Sequence, residues 1–211
     1  MFKKFIIFTV IIVFTLGESL AAETMSCPIT PELWSVGVLP QAKNSNDLTK
    51  NYDSFEVAKG KKIIIKGKVL DKDCVPISGA KVSIWQANSM GYYQLNVSDE
   101  YNEKYDPNFA GSGNIISNNL GEFEFITVYP GKVNAINPNI IFKVEHQNFQ
   151  PMETKMFFPE NNNVKDIKIL APYLIKEQIP LINAKINGKI DNKVIYYFTI
   201  TLDQLNLYKE Y

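Results

Sequence analysis

Residues 83–93 read Ser-Ile-Trp-Gln-Ala-Asn-Ser-Met-Gly-Tyr-Tyr, and this segment is the most informative one for predicting the fold. Just before it, Asp71 to Pro76 has the composition of a tight turn between two strands. Val82, Ile84 and Gln86 then alternate with other residues, as inward side chains of a strand do. The polar residues and the glycine that follow indicate that the strand ends here and a loop begins.

Short β-rich runs separated by turn residues continue on both sides of this stretch. The residues Asp191-Asn192 predict a hairpin turn between the last two runs. No window has helical periodicity over three turns, so the pattern predicts an all-β, two-sheet β-sandwich. A long polar loop is expected over 94–119 and a surface excursion over 44–53. The predicted strands are 62–70, 80–86, 122–128, 140–146, 153–158, 164–170, 185–190 and 193–202.

The N-terminus has the features of a secretory signal peptide. Two lysines precede an apolar stretch over 5–16, and small residues follow at Ser19-Leu20-Ala21 and Leu20-Ala21-Ala22. The apolar stretch is shorter than the roughly 20 residues that span a bilayer, so no stable membrane insertion is expected after cleavage. We therefore predict an exported protein, periplasmic or secreted. Its predicted parts are a signal peptide over 1–21, an N-terminal extension over 22–60, a sandwich domain over 61–205 and a C-terminal tail over 206–211.

Only two cysteines occur, Cys27 and Cys74, and both lie in the predicted exported part. Disulfides persist in oxidising compartments, so one bridge between them is expected. Two unrelated free thiols are the alternative.

Composition excludes several classes of function. The 22 basic residues balance 22 acidic ones, and the pI is near 6.6, so the chain lacks the basic character of nucleic-acid-binding proteins. All the basic residues are lysines, which removes bidentate guanidinium recognition. The chain has 1 histidine, so one copy cannot build a site that needs two imidazoles.

The motifs of the chain, taken in order, resemble those of the intradiol ring-cleavage dioxygenases, the protocatechuate and catechol dioxygenase family. The Trp-Gln-Ala-Asn phrase followed by Gly-Tyr-Tyr is the most specific match. The resemblance runs from about Cys27 to the end and implies the family's β-sandwich. The matching segments are 27–32, 83–88, 91–93, 106–113, 121–131 and 154–158.

The same resemblance implies a non-haem Fe(III) site with two tyrosine and two histidine ligands beside an arginine. Phenolate oxygens are hard anionic donors that suit Fe(III), and imidazoles complete the site. Tyr93 matches the first tyrosine. The second tyrosine position falls on Val133, and the histidine positions fall on Asn139 and Ile141. Shifting the alignment by one residue gives Ile140 and Phe142 instead, and the arginine has no counterpart.

Two other residues are candidates for replacement ligands, His146 and Tyr129. His146 lies five residues beyond Ile141, roughly 16 Å along an extended strand, and an odd offset turns it to the opposite face. Tyr129 occupies a position where the family often carries a tyrosine that is not a ligand. Neither residue is expected to bind metal.

We therefore expect an exported family member that has lost the Fe(III) site, needs no cofactor, and acts as a non-catalytic binding or interaction module. Its partner would be an aromatic small molecule or another protein, and the expected cleft residues are Trp85, Tyr92, Tyr93, Phe109 and Tyr129. One alternative is an active Fe(III) dioxygenase of catechol-type rings with an unconventional site. Another is a structural module of the cell envelope.

Overall fold

The computed structural model describes most of the chain that follows the predicted signal peptide. The predicted signal peptide, 1–21, and the predicted tail, 206–211, lie outside the described residues. The described residues are 26–35, 37–52, 54–94, 104–161 and 163–203.

Eight strands form two four-stranded sheets that pack face to face, as predicted. The first sheet has the order β4-β1-β8-β7 and the second β3-β2-β5-β6, with β1 parallel to β8 and the other pairs antiparallel. The strands are β1 (Lys62–Asp71), β2 (Lys81–Gln86), β3 (Ser112–Ile116), β4 (Glu122–Val128), β5 (Asn139–His146), β6 (Phe149–Phe157), β7 (Lys185–Ile190) and β8 (Lys193–Leu202).

The core lies between the sheets and follows the period-2 alternation of the strands. Ile63 and Ile65 of β1, Ile84 of β2 and Phe142 of β5 are all fully buried there. The turn predicted between β7 and β8 is confirmed, since Asp191 and Asn192 both have positive φ, as two-residue hairpin turns require.

The predicted strand over 164–170 is wrong, because this segment forms a helix, α1 (Val164–Leu170). Its backbone bonds run from the Ile167 N–H to the Asn163 oxygen at 2.8 Å and from the Ala171 N–H to the Ile167 oxygen at 2.7 Å. Ile167 and Ala171 are buried together, four residues apart, whereas Ile169 is 60% exposed. The apolar residues therefore fit the helical period, which a window of seven residues was too short to reveal.

Two further differences concern short elements. The loop predicted over 94–119 contains β3, whose sequence Ser-Gly-Asn-Ile-Ile begins with three residues typical of loops. The structure also has a 3-10 helix (Lys176–Ile182) that sequence reasoning did not predict. In addition, β6 begins at Phe149 rather than at residue 153.

The segment before β1 crosses the outer face of the second sheet. We call its described residues 26–35 and 37–49 the N-terminal strap. The Leu33 N–H donates to the Glu153 oxygen of β6 at 2.9 Å, and the Trp85 indole of β2 donates to the Pro40 oxygen at 3.0 Å. The predicted surface excursion over 44–53 is wrong in part, since Leu48 is fully buried in the main core.

The predicted disulfide is confirmed. Cys27 and Cys74 are bonded across a sequence separation of 47 residues, which ties the start of the N-terminal strap to the turn after β1. None of the helices in the described ranges has both the length and the apolar character needed to cross a membrane.

Candidate functional site

Two buried polar residues of the Trp-Gln-Ala-Asn motif build the loop that carries Tyr93. The Gln86 side chain donates to the Val128 oxygen at 2.9 Å and accepts from the Thr127 hydroxyl at 2.8 Å, which joins β2 to β4. The Asn88 Oδ1 accepts from the backbone N–H groups of Met90 and Tyr92. The sequence marks Gln86 as an inward strand residue and both residues as part of the family motif, and the structure shows in addition that they position the candidate site.

Two glycines bring the loop of Tyr93 against the loop of Val133. Gly91 has φ +89°, and a Cβ there would collide with the Lys132 carbonyl oxygen. A Cβ on Gly131 would likewise collide with the Gly91 nitrogen. The Gly131 N–H donates to the backbone carbonyl oxygen of Asn88 at 2.9 Å. The backbone therefore still places the two predicted tyrosine positions on touching loops, although only one of them carries a tyrosine.

The side chain of Tyr93 is half-buried in an apolar cluster. It packs, with Leu39 of the N-terminal strap, against the buried side chains of Ala42, Trp85 and Ile141. Burial raises the pKa of the Tyr93 phenol to about 12. The phenol is therefore protonated near neutral pH, and burial of its charged form holds the pKa above the ordinary value of 10.0.

The two predicted histidine positions lie on β5, on the same face of the sheet as Trp85. Ile141 pairs directly with Trp85 across the strands, and it is buried in the cluster of Tyr93. Asn139 is buried on the same face, two residues earlier, and its side-chain amide donates to the Asn137 oxygen at 3.0 Å. Ile140 and Phe142, from the shifted alignment, point into the main core instead. Asn139 and Ile141 therefore lie on the sheet face that carries the cluster of Tyr93, and Ile141 belongs to that cluster.

His146 lies at the other end of β5. Its ring packs on Phe149 with centroids 5.6 Å apart, and its Nδ1 accepts from the Asn148 N–H at 3.2 Å. It lines a surface pocket with residues such as Ser78 and Pro151. The structure thus gives His146 a local role in the turn between β5 and β6.

The five expected cleft residues lie in four different environments in the described part of the chain. Trp85 and Tyr93 share the apolar cluster, while Tyr92 is exposed and lies under the Lys104 ammonium, 5.1 Å from its ring centre. Phe109 is buried in the main core. Tyr129 packs on Phe158 at 4.4 Å and lines a separate pocket.

Comparison with known proteins agrees with this architecture. A family model described as Dioxygenase matches residues 35–204. The chain belongs to the intradiol ring-cleavage dioxygenase family. It is 35% identical to the protocatechuate 3,4-dioxygenase beta chain of Burkholderia cepacia over 122 residues, which cover 54% of this chain and 52% of that one. A Rickettsia felis protein, described provisionally as a dioxygenase, is 30% identical over 171 residues, 76% of this chain and 82% of its own.

Solved structures show the same fold at lower identity. The dioxygenase domain of a carbohydrate-binding fusion protein from Streptomyces sp. SirexAA-E has a TM-score of 0.63 at 19% identity and covers 84% of this chain and 99% of its own. An intradiol ring-cleavage dioxygenase from Tetranychus urticae has a TM-score of 0.60 at 18% identity, with 84% and 95% coverage.

The residues at the ligand positions of this family member do not fit Fe(III). Val133 and Ile141 have hydrocarbon side chains that donate no electron pair, and the Asn139 carboxamide offers a neutral oxygen in place of an imidazole nitrogen. Of the four positions, Tyr93 alone carries an oxygen donor that becomes anionic on deprotonation. No group of three or more His, Cys, Asp or Glu side chains that could hold a metal ion occurs within the described part of the chain.

Proposed function

We propose that this intradiol dioxygenase family member is a non-catalytic binding module that has lost the ferric site. One observation carries the proposal: at a position where the family places histidine, Ile141 packs with Trp85 and Ala42 in the cluster of Tyr93. A coordinating imidazole and a buried aliphatic side chain have opposite requirements for their neighbours. This region favours the aliphatic side chain.

Retention of the scaffold supports the same proposal. Gln86, Asn88, Gly91 and Gly131 still make the contacts that hold the two loops together. These residues serve folding, whereas Val133, Asn139 and Ile141 stand at positions that served iron chemistry. A protein that keeps the first set and lacks the second has the shape of the site without its metal donors.

The proposed ligand is an aromatic small molecule that packs beside Tyr93. The phenol has no hydrogen-bond partner among the described residues, so its hydroxyl group is available to a ligand. Leu39, Trp85 and Ile141 provide apolar neighbours for an aromatic ring. We also propose that the protein acts outside the cytoplasm, which the Cys27–Cys74 bridge supports.

Binding and oxygen uptake test this function together. The full chain, supplied with Fe(III), is mixed with catechol or phenol while dioxygen and intrinsic tryptophan fluorescence are recorded. We expect no catechol-dependent oxygen uptake, and saturable fluorescence changes with both compounds because Trp85 lies in the cluster of Tyr93. Tyr93→Ala should abolish the change, whereas Tyr52→Ala, at a fully exposed tyrosine, should not.

The possible failures have different meanings. Catechol-dependent oxygen uptake by the wild-type chain would overturn the loss of catalysis. If neither catechol nor phenol binds to the folded protein, the aromatic-ligand role is overturned and a structural envelope module is favoured.

A further inference from the structure

A second pocket lies at one end of the sandwich and contains none of the four ligand positions. Its volume is about 420 Å³, within the range of about 300–1,000 Å³ that is common for small-molecule sites. It is formed where the segment before β1, the loops after β2 and β4 and the turn after β6 meet β8. The lining residues are Lys61, Ser89, Tyr129, Pro130, Glu160 and Tyr196.

The acidic side of this pocket is Glu160, which Tyr196 holds in place and beside which Tyr129 lies. The buried Tyr196 donates its hydroxyl to Glu160 Oε1, and the other carboxylate oxygen accepts from no described residue. The Asn161 amide donates to the Tyr129 oxygen at 3.0 Å, which leaves the Tyr129 hydroxyl hydrogen available. Burial is the main cause that raises the pKa of both phenols. At Tyr129 the Asn161 hydrogen bond lowers the pKa in part and the charge of Glu160 raises it, whereas at Tyr196 the hydrogen bond to Glu160 and its charge both raise the pKa, so both phenols remain donors.

The basic side is Lys61. In the part of the chain that the structure describes, its ammonium pairs with no carboxylate, and it makes no ion pair with Glu160 across the pocket. The Ser89 hydroxyl is also without a described partner. Opposite charges therefore line one pocket with space between them and do not neutralise each other.

We propose that this pocket binds a small zwitterion of the α-amino-acid class. The ligand ammonium would contact Glu160, and its carboxylate would contact Lys61, the Tyr129 hydroxyl and Ser89. The ring of Tyr129 and Pro130 would pack against the ligand side chain. A ligand with both charges complements the pocket, whereas an ion of one sign meets a like charge on one wall.

Nuclear magnetic resonance titration of the full chain tests the proposal with glycine and phenylalanine, and with acetate and methylammonium as half-ligands. We expect both amino acids to shift resonances of Tyr129, and each half-ligand to bind about tenfold or more weakly. Lys61→Met and Glu160→Gln should each weaken amino-acid binding about tenfold. Lys185→Met, at an exposed lysine on β7, is the matched control and should change nothing.

The half-ligands decide the sign of each contact. Glu160→Gln should weaken the binding of methylammonium and leave the binding of acetate unchanged. Lys61→Met should weaken the binding of acetate and leave the binding of methylammonium unchanged. Equal affinity for acetate and glycine would overturn the proposal, as would amino-acid binding that neither variant changes or an absence of binding by a folded protein. Thermal melts of the variants establish that they fold.

Discussion

The proposed loss of iron depends on single residues at the ligand positions. Tyr93 keeps the phenol of the family, but its neighbours are apolar, and the positions that would complete the metal site carry Val133, Asn139 and Ile141. The alignment of the sequence with the family motifs was sufficient to predict which residues occupy the ligand positions. It could not show that Ile141 fills space beside Tyr93, because that contact depends on the pairing of β5 with β2.

The ionisation of Tyr93 is the first prediction at this scale. Burial raises its pKa from 10.0 to about 12, so the folded state retains a proton that the unfolded chain releases. The resulting stability is fully present below about pH 10 and is lost as the pH rises through about 12. Absorbance titration of tyrosinate, wild type minus Tyr93→Phe, should give a midpoint near 12. A midpoint at or below 10 would contradict the apolar environment.

The second prediction concerns the contact between the two loops. Gly91→Ala combines positive φ with a collision at the Lys132 oxygen, so it should lower the free energy of unfolding by about 2–4 kcal/mol. Gly188→Ala is the matched control, since Gly188 has a similar φ and open space around it, and it should cost about 1–2 kcal/mol. Urea denaturation measures both. Equal losses would show that the loops do not touch as described.

At the scale of elements, the sequence predicted strands well and short helices poorly. It predicted β1, β2, β4 and the β7–β8 hairpin closely, because each strand is a short β-rich run bounded by turn residues. Buried and partly buried residues alternate along β4, whereas β2 is almost wholly buried and β7 is exposed. The prediction from sequence failed at α1, where seven residues contain too few turns to distinguish a period of 3.6 from a period of 2. It also missed β3, because a strand of five residues that begins Ser-Gly-Asn has the composition of a loop.

The helix at α1 gives a third prediction. A strand would place Ile167 and Ile169 on one face, whereas the helix buries Ile167 and leaves Ile169 60% exposed. Ile167→Ala should therefore lower the free energy of unfolding by about 3 kcal/mol. Ile169→Ala should change the free energy of unfolding by no more than about 0.5 kcal/mol. Similar losses from the two substitutions in thermal or urea unfolding would favour the strand.

For the molecule as a whole, the N-terminal strap closes over the face that carries the candidate site. Lys155 of β6 donates to the Leu33 oxygen at 3.2 Å, and burial lowers the pKa of this lysine. Asn114 of β3 donates to the Lys43 oxygen at 2.9 Å. The strap supplies Leu39 and Ala42 to the cluster of Tyr93, so residues predicted as an extension are part of the site. The sequence could not show this, because the strap has no regular secondary structure to give it a pattern.

The disulfide gives a fourth prediction. It closes a loop across 47 residues, so Cys27→Ser with Cys74→Ser should lower the free energy of unfolding by about 4 kcal/mol in the chain-entropy model. Urea unfolding of the oxidised protein and of the double variant measures the loss. A loss below about 1 kcal/mol would indicate that the strap is held by its other contacts alone.

Iron content tests the loss of the ferric site most directly. The purified full chain is incubated with Fe(III), desalted, and assayed for bound iron and for the visible absorption of an iron-phenolate centre. A variant with Val133→Tyr, Asn139→His and Ile141→His restores the donor types and serves as the comparison. We predict that the wild-type chain retains no stoichiometric iron and no such absorption. One bound iron per chain, with a visible band that Tyr93→Phe abolishes, would contradict the account.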